Sequence, residues 1–207
     1  MTKKIVFFDF DGTLISCQSI FILWKYALKK KPLLFFYLLA QLIIGLIKYI
    51  FTFNFSHIKT SMVSLIRFLS EDDMKKFMTK ILYPGYFFSA GLKELEKFDG
   101  SFLKILVSAS PLNYIKYIKD ILPFDYILAT ELDENFRVKY NNNSGREKVK
   151  NINELLNTLK IKIDYKNSYC YTDNYKADKF MAELVKNRFL INSRLKISSY
   201  KNLKWSW

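Results

Sequence analysis

Histidine, cysteine, glycine and proline are scarce in this chain, and acidic residues are missing from a long stretch of it. Of 207 residues, one is histidine (His57), two are cysteine (Cys17 and Cys170), six are glycine and four are proline. A single histidine excludes a Ser-His-Asp or Cys-His mechanism unless His57 is itself the base. Two cysteines exclude a disulfide scaffold, and no Cys/His spacing suits zinc. So little glycine and proline excludes collagen-like and Pro-rich low-complexity architectures. Half the residues are hydrophobic and a quarter charged. A chain of this length and composition buries a sizeable core, which excludes wholesale disorder and points to one domain, or one domain with an insertion.

The net charge is +14, from 33 basic and 19 acidic residues. Only five of the basic residues are arginine. Bidentate reading of bases and phosphates favours arginine, so no nucleic-acid partner is expected. From Gly12 to Ser70 there is no Asp or Glu, against seven basic residues: Lys25, Lys29, Lys30, Lys31, Lys48, Lys59 and Arg67. This asymmetry marks a segment in a different environment from the rest. At the start of the chain Asp9 and Asp11 interrupt the apolar run before a signal-peptide core can form, so the cytoplasm is the expected compartment. Two unpaired cysteines suit it.

Ile5-Val6-Phe7-Phe8 is a continuous β-branched and aromatic run, the pattern of a parallel strand buried on both faces. Similar runs occupy Phe102–Val107, Asp125–Ala129, Ser168–Thr172 and Arg188–Ile191. Helical patterns lie between them, at Gly91–Phe98, Leu112–Ile121, Arg146–Leu159 and Ala177–Lys186. The alternation predicts an α/β fold, a doubly wound parallel-sheet core. Glu131–Tyr140 reads as a small hairpin, and 141–145 as the loop that launches the next helix. The alternation breaks between about Ser19 and Tyr86, where the pattern is helical throughout. The expected organisation is therefore a core of residues 1–18 and 87–207 with an inserted all-helical cap over 19–86.

Sites in open α/β sheets form at the carboxyl ends of strands. The first predicted strand ends at Asp9 and Asp11, whose spacing of two can put both on one side of an extended segment. The second ends at Ser108. The fourth ends at Asp173, with Asp178 five residues on, and Lys148 lies in the helix before that strand. Carboxylates, a hydroxyl and an ammonium make up the inventory for a hard divalent cation and a phosphate.

In that order, Asp9-Phe10-Asp11-Gly12-Thr13-Leu14, Val107-Ser108-Ala109-Ser110, Gly145-Arg146-Glu147-Lys148-Val149 and Tyr171-Thr172-Asp173-Asn174 with Asp178 resemble the four motifs of the haloacid dehalogenase superfamily. The helical insert after the first motif resembles the phosphoserine-phosphatase-like subfamily IB, with its helical cap. The resemblance implies a Mg2+-dependent phosphomonoester phosphatase. Asp9 would be the nucleophile that forms an aspartyl-phosphate, and Asp11 the general acid and base. The metal would be held by Asp9, the backbone carbonyl of Asp11, Asp173 and Asp178; the five-residue spacing of the last is longer than usual. Ser108, Ala109, Lys148 and Thr13 would bind the phosphate, and Ser110 and Asn174 would support them. Cys17, Cys170 and His57 read as packing or surface residues.

The insert has its own message. Pro32 to Ile47 contains no charged side chain, and Lys29-Lys30-Lys31 precedes it. The apolar run approaches the ~20 residues needed to span a bilayer. Both ends of the insert must return to one sheet, so a single crossing is excluded. An interfacial or re-entrant hairpin is expected, with residues 20–55 against an anionic membrane surface at the inner face. The Lys31-Pro32 step before Leu33-Leu34-Phe35-Phe36 resembles one branch of the superfamily, the phosphatidylglycerophosphatase C relatives, which implies a lipid phosphate as substrate. The alternatives are a small phosphorylated metabolite with a soluble cap, or a silent member that only binds a membrane or a partner.

Overall fold

The computed structural model describes residues 1–206. Strand β1 (Thr2–Phe8) is followed by four helices: α1 (Ser19–Lys30), α2 (Leu34–Thr52), α3 (Ser56–Val63) and α4 (Glu71–Lys76). Then come α5 (Ser89–Glu96), β2 (Phe102–Pro111), α6 (Leu112–Ile115) and β3 (Tyr126–Thr130). The chain closes with α7 (Arg146–Thr158), β4 (Lys162–Ile163), β5 (Tyr169–Thr172), α8 (Tyr175–Ala182), β6 (Asn187–Ile191) and β7 (Lys201–Leu203). The sheet runs β3-β2-β1-β5-β6-β7, with β4 on the start of β1, and its pairings are parallel.

All five predicted strands are present, and the α/β expectation holds. Ile5 and Phe7 face one apolar layer with Ile105, Val107, Ile152 and Met181, beneath α7 and α8. Val6 and Phe8 face the other, with Leu106, Tyr171 and Leu95. Alternate residues of one strand serve two buried faces, which is why β1 reads as unbroken apolar sequence. Phe8, Tyr171 and Phe189 stack across three strands at centroid separations of 4.6 and 4.8 Å. Each such ring contributes roughly 1.5–3 kcal/mol through burial.

Two expectations are corrected and one is narrowed. The hairpin over 131–140 is minimal: an antiparallel bridge, Leu132 to Val138, with Asp133 N–H donating to Arg137 O and Lys139 N–H to Glu131 O, closes a turn organised by the Asp133 carboxylate. The helix expected to reach Lys186 ends at Ala182. The apolar α2 has no return leg of its own kind, because α3 is eight residues with the polar sequence Ser-His-Ile-Lys-Thr-Ser-Met-Val. A hairpin crossing a bilayer is excluded by that length.

The helical segment leaves and rejoins the core where two chain passages pair: Ser16 N–H donates to Tyr86 O and Phe88 N–H to Leu14 O, both at 3.0 Å. Its second half packs onto the core. Ser70 and Asp73 cap α4 reciprocally, and in the following turn Phe77 meets buried Tyr114 edge-on at 5.2 Å. α2 projects differently. Only Leu34, Leu38 and Gly45 of it are buried. Gly45 lets α3 approach, since a Cβ there would lie 2.2 Å from Ser61 Oγ. Among the described residues α2 is the one helix long and apolar enough to cross a membrane, with a mean hydropathy of 2.0 and 11% of that window buried.

Candidate active site

The strand order reverses beside β1, and the site lies at the carboxyl ends of β1, β2 and β5, where such sheets take ligands. A cleft of about 110 Å3 there is lined by Asp9, Asp11, Ser108, Ala109, Lys148, Asp173, Asn174 and Asp178, among others. The structure thus brings together residues from four separated stretches of sequence.

Asp9 is 7% exposed. Its Oδ1 accepts from Lys148 Nζ at 2.8 Å, and its Oδ2 accepts from Thr13 Oγ1 at 3.3 Å. Lys148 is 2% exposed and sits in the first turn of α7 with its ammonium shared between two carboxylates, Asp9 and Asp178, the latter at 2.7 Å. Burial pulls its pKa down, but Asp9 and Asp178 outweigh that, so Lys148 stays charged above the ordinary lysine range. Burial pushes the Asp9 carboxyl upward, Lys148 opposes it, and the Asp178 and Asp173 charges add to the rise. Asp173 is pushed up to about 6, first by burial and then by Asp178.

Asp11 is held by the insert and by the end of β2. Its Oδ1 accepts from the Ser19 N–H at 2.6 Å, and its Oδ2 accepts a short bond from the Ser110 hydroxyl. Ser19 begins α1, so the first helix of the insert and the Asp11 carboxylate share a hydrogen bond. Behind them Ser19 Oγ meets Ser110 Oγ at 3.1 Å and Tyr114 Oη at 2.7 Å, all buried. Ser108 Oγ accepts from Ser110 N–H at 3.0 Å. Ala109 lines the cleft beside it, its carbonyl accepting from Thr130 Oγ1 at 2.8 Å.

Two expected site residues have protein partners in the structure. Thr13 was expected on the phosphate; it is fully buried, and its hydroxyl donates to Asp9 and accepts from Asp173 N–H at 2.9 Å, tying the first motif to the fourth. Asp178 was expected on the metal; it is 1% exposed and is committed to Lys148 and to the Thr172 hydroxyl at 2.6 Å. Asn174 Oδ1 caps α8 from Ala177 N–H at 3.1 Å. Among the described residues no three Asp, Glu, His or Cys side chains converge on one point. Asp9 shares Lys148 with Asp178 but is the more exposed of the two, 7% against 1%, so Asp9 and Asp173 are the carboxylates best placed to hold a cation. The loop leaves room for them: Gly12 sits at φ +74°, and a Cβ there would lie 2.3 Å from Asp173 Oδ2. Two carboxylates and a main-chain carbonyl, all hard oxygens, fit Mg2+, which keeps several of its waters.

Two residues of consequence escaped the sequence reading. Asn143, 1% exposed, donates to the carbonyls of Ser108 and Leu128 at 3.0 and 2.9 Å and so fastens the 141–145 loop to the second motif. Nothing in a run of three asparagines marks which one turns inward. Lys59 of α3 is half-buried, has no ion pair among the described residues and lies within the field of Asp11. Burial holds its pKa below the ordinary lysine value, and Asp11 pulls it back up. Cys170 and Cys17 are not reactive thiols: burial raises both, Cys17 to about 11.

A family model described as haloacid dehalogenase-like hydrolase matches residues 6–183. No curated protein matches the sequence. Among solved structures, one similar chain is a protein of unknown function from Bordetella pertussis Tohama I, at 17% identity and a TM-score of 0.75, covering 93% of this chain and 92% of that one. A phosphoserine phosphohydrolase-like protein from Francisella tularensis subsp. tularensis SCHU S4 is 19% identical with a TM-score of 0.58, covering 92% and 87%. A phosphoserine phosphatase with a phospho-aspartyl intermediate analogue is 16% identical with a TM-score of 0.59, covering 93% and 88%. At these identities the likeness is one of fold.

Proposed function

The chain belongs to the haloacid dehalogenase-like hydrolases, and from that premise we propose that it is a Mg2+-dependent phosphomonoester phosphatase working through a phosphorylated Asp9. The observation that carries the reading is the convergence of Asp9 and Asp11 after β1, Asp173 after β5 and Lys148 of α7 on one cleft. Asp9 attacks phosphorus; the bond to the leaving oxygen breaks, and Asp11 gives that oxygen a proton. Asp11 then takes a proton from water as the water attacks the acyl phosphate. The Asp9–phosphorus bond breaks, inorganic phosphate leaves, the Asp9 carboxylate is regenerated, and Asp11 again carries the proton it began with.

Lys148 faces the charge that develops on the equatorial oxygens, and Asp178 holds it in place through their 2.7 Å contact. Ser108 offers a hydroxyl to a phosphoryl oxygen. Asp9 and Asp173, with the Asp11 carbonyl, would hold Mg2+. When bound, the cation supplies the positive charge that lets a carboxylate approach an anionic phosphate. Ser19 and Ser110 hold Asp11 until substrate arrives, so that the start of α1 and the acid move together.

For substrate, we favour a lipid phosphate at a membrane face. The support is α2, whose Phe35, Phe36, Leu39, Ile43, Ile47 and Phe51 are exposed on a helix of the insert long and apolar enough to enter a membrane. The small-metabolite alternative has its support in the fold shared with phosphoserine phosphatases. Phosphate release tests both: phosphatidylglycerophosphate and phosphatidate in detergent beside phosphoserine and sugar phosphates, with and without Mg2+, for wild type and Asp9→Asn. Metal-dependent release lost in Asp9→Asn is expected, highest on a lipid. No release from any substrate would leave the silent membrane- or partner-binding reading.

A further inference from the structure

On a helical wheel α2 divides into three arcs. Leu34, Leu38 and Gly45 face the rest of the insert. From Phe35 round to Phe51 the exposed apolar residues, Leu39, Ile43, Leu46 and Ile47 among them, fill an arc of roughly 160°. At one edge of that arc Tyr37, Gln41, Ile44 and Lys48 recur at spacings of four, three and four, so they form a stripe along the helix.

That stripe is one wall of a continuous groove. The other walls are α3, the turn after it and the 131–140 turn of the core. The groove opens as two adjoining cavities of about 260 and 380 Å3 that share Gln41, Ile44, Lys48, Thr60 and Arg137. Lys48, Arg67, Arg137 and His57 line it, and no Asp or Glu does. Arg67 donates only to neutral oxygens, Tyr37 Oη and Asn135 O, both at 3.0 Å. Lys48 and Arg137 have no ion pair among the described residues. The nearby carboxylates are engaged elsewhere: Asp133 accepts from the amides of Asn135 and Arg137, and Glu131 faces Lys139 at 3.8 Å. Three permanent cations with no counter-charge thus share a groove whose rim is apolar.

We propose that this groove binds the phosphodiester headgroup of an anionic membrane lipid, with α2 lying in the plane of the bilayer interface. The width of the apolar arc argues for a bilayer over a second copy of the chain. A two-helix seam needs a narrower stripe, whereas a helix half-sunk in an interface buries half its circumference. Charge argues the same way. Lys29 and Lys31 precede α2 without an ion pair among the described residues, Lys30 being held by Asp73, and no carboxylate occurs from Gly12 to Ser70 to repel an anionic leaflet. The groove is separate from the Asp9 cleft. The inference deepens the lipid-phosphate reading and rests on it for the membrane setting, but its test reads vesicle binding and not turnover, so the two fail separately.

The test is flotation at physiological salt with vesicles of phosphatidylcholine alone and of phosphatidylcholine with phosphatidylglycerol. The full chain is compared with Lys48→Gln/Arg137→Gln, with Ile43→Ser/Ile47→Ser, and with a charge-matched control, Lys162→Gln/Lys166→Gln. The control residues are exposed beside β4, at the opposite end of the sheet from the site. Wild type and control should float with the anionic vesicles. The groove pair should partition on the order of thirty-fold more weakly, and the apolar pair should stay in solution. Millimolar inorganic phosphate should not release the wild type. Equal losses in the groove and control pairs would overturn the site, since diffuse charge would then suffice. Release by inorganic phosphate would overturn the lipid as its ligand. A wild type that ignores both vesicles and sediments as a dimer would overturn the proposal in favour of a second copy.

Discussion

Replacing Asp178 by asparagine separates two roles that the sequence alone leaves together. In the structure Asp178 is the second partner of Lys148, at 2.7 Å, with Asp9 the first at 2.8 Å. All three side chains are nearly inaccessible to water. Breaking a buried ion pair usually costs about 3–5 kcal/mol, because a lone charge is left behind. Here Asp9 still compensates Lys148, and the buried trio changes from a net charge of −1 to neutral. The expected cost is therefore smaller, about 1–2 kcal/mol, or about 2–8 °C in Tm for a chain of this size. The ammonium, freed from one side, moves toward Asp9 and away from where a phosphoryl oxygen sits. A displacement of that kind costs on the order of 100-fold in kcat. The assay is phosphate release over a Mg2+ series, with melting curves in the same buffers. The half-saturating Mg2+ should shift no more than about tenfold, and added metal should not restore kcat. Recovery of wild-type kcat at high Mg2+ would refute the reasoning and return Asp178 to the metal.

Further outcomes follow from the same geometry. Gly12→Ala drives a Cβ to within 2.3 Å of Asp173 Oδ2 at a φ of +74°, so kcat/KM should fall on the order of 100-fold as Asp173 is displaced; unchanged kinetics would contradict the close approach. In metal-free protein Asp173, raised to about 6, binds its proton more tightly folded than unfolded, and Asp9 is shifted the same way. The Asp173 contribution to stability is therefore lost as pH rises from about 4 through 6, the Asp9 contribution is lost over a range that extends to higher pH, and the gain in Tm on adding Mg2+ should be larger at pH 7.5 than at pH 5; a gain that does not grow with pH would contradict it. Lys59→Met removes a half-buried ammonium facing Asp11, so KM for any phosphomonoester should rise about tenfold and kcat/KM should lose part of its salt dependence.

The strands and the motifs were legible because each rests on local sequence. A strand buried on both faces needs an unbroken apolar run, and Ile5–Phe8 followed by Asp9 declares both the strand and its functional end. The same holds for Ser108 after β2 and Asp173 after β5. What was not legible depends on partners distant in sequence. β4 and β7 are two and three residues long, with lysine and asparagine at most positions, and exist because β1 and β6 offer an edge to pair with. Asp178 could be placed at a helix start, but its direction is set by Lys148, thirty residues earlier. Thr13 lies in the first motif, yet its hydroxyl is consumed by Asp9 and Asp173. Lys59 reads as one lysine of a basic segment; only the docking of α3, with Val138 N–H donating to Thr60 Oγ1 at 3.3 Å, brings it toward Asp11.

The most direct test of the central claim is to stop turnover in acid and look for the intermediate. Wild-type protein with Mg2+ and a phosphomonoester that it hydrolyses is quenched within its first turnovers, digested and weighed by mass spectrometry. The account predicts one added phosphoryl group on the peptide containing Asp9, released by hydroxylamine as an acyl phosphate is and absent in Asp9→Asn. Turnover with no phosphorylated peptide, or with the label on any other residue, would contradict it.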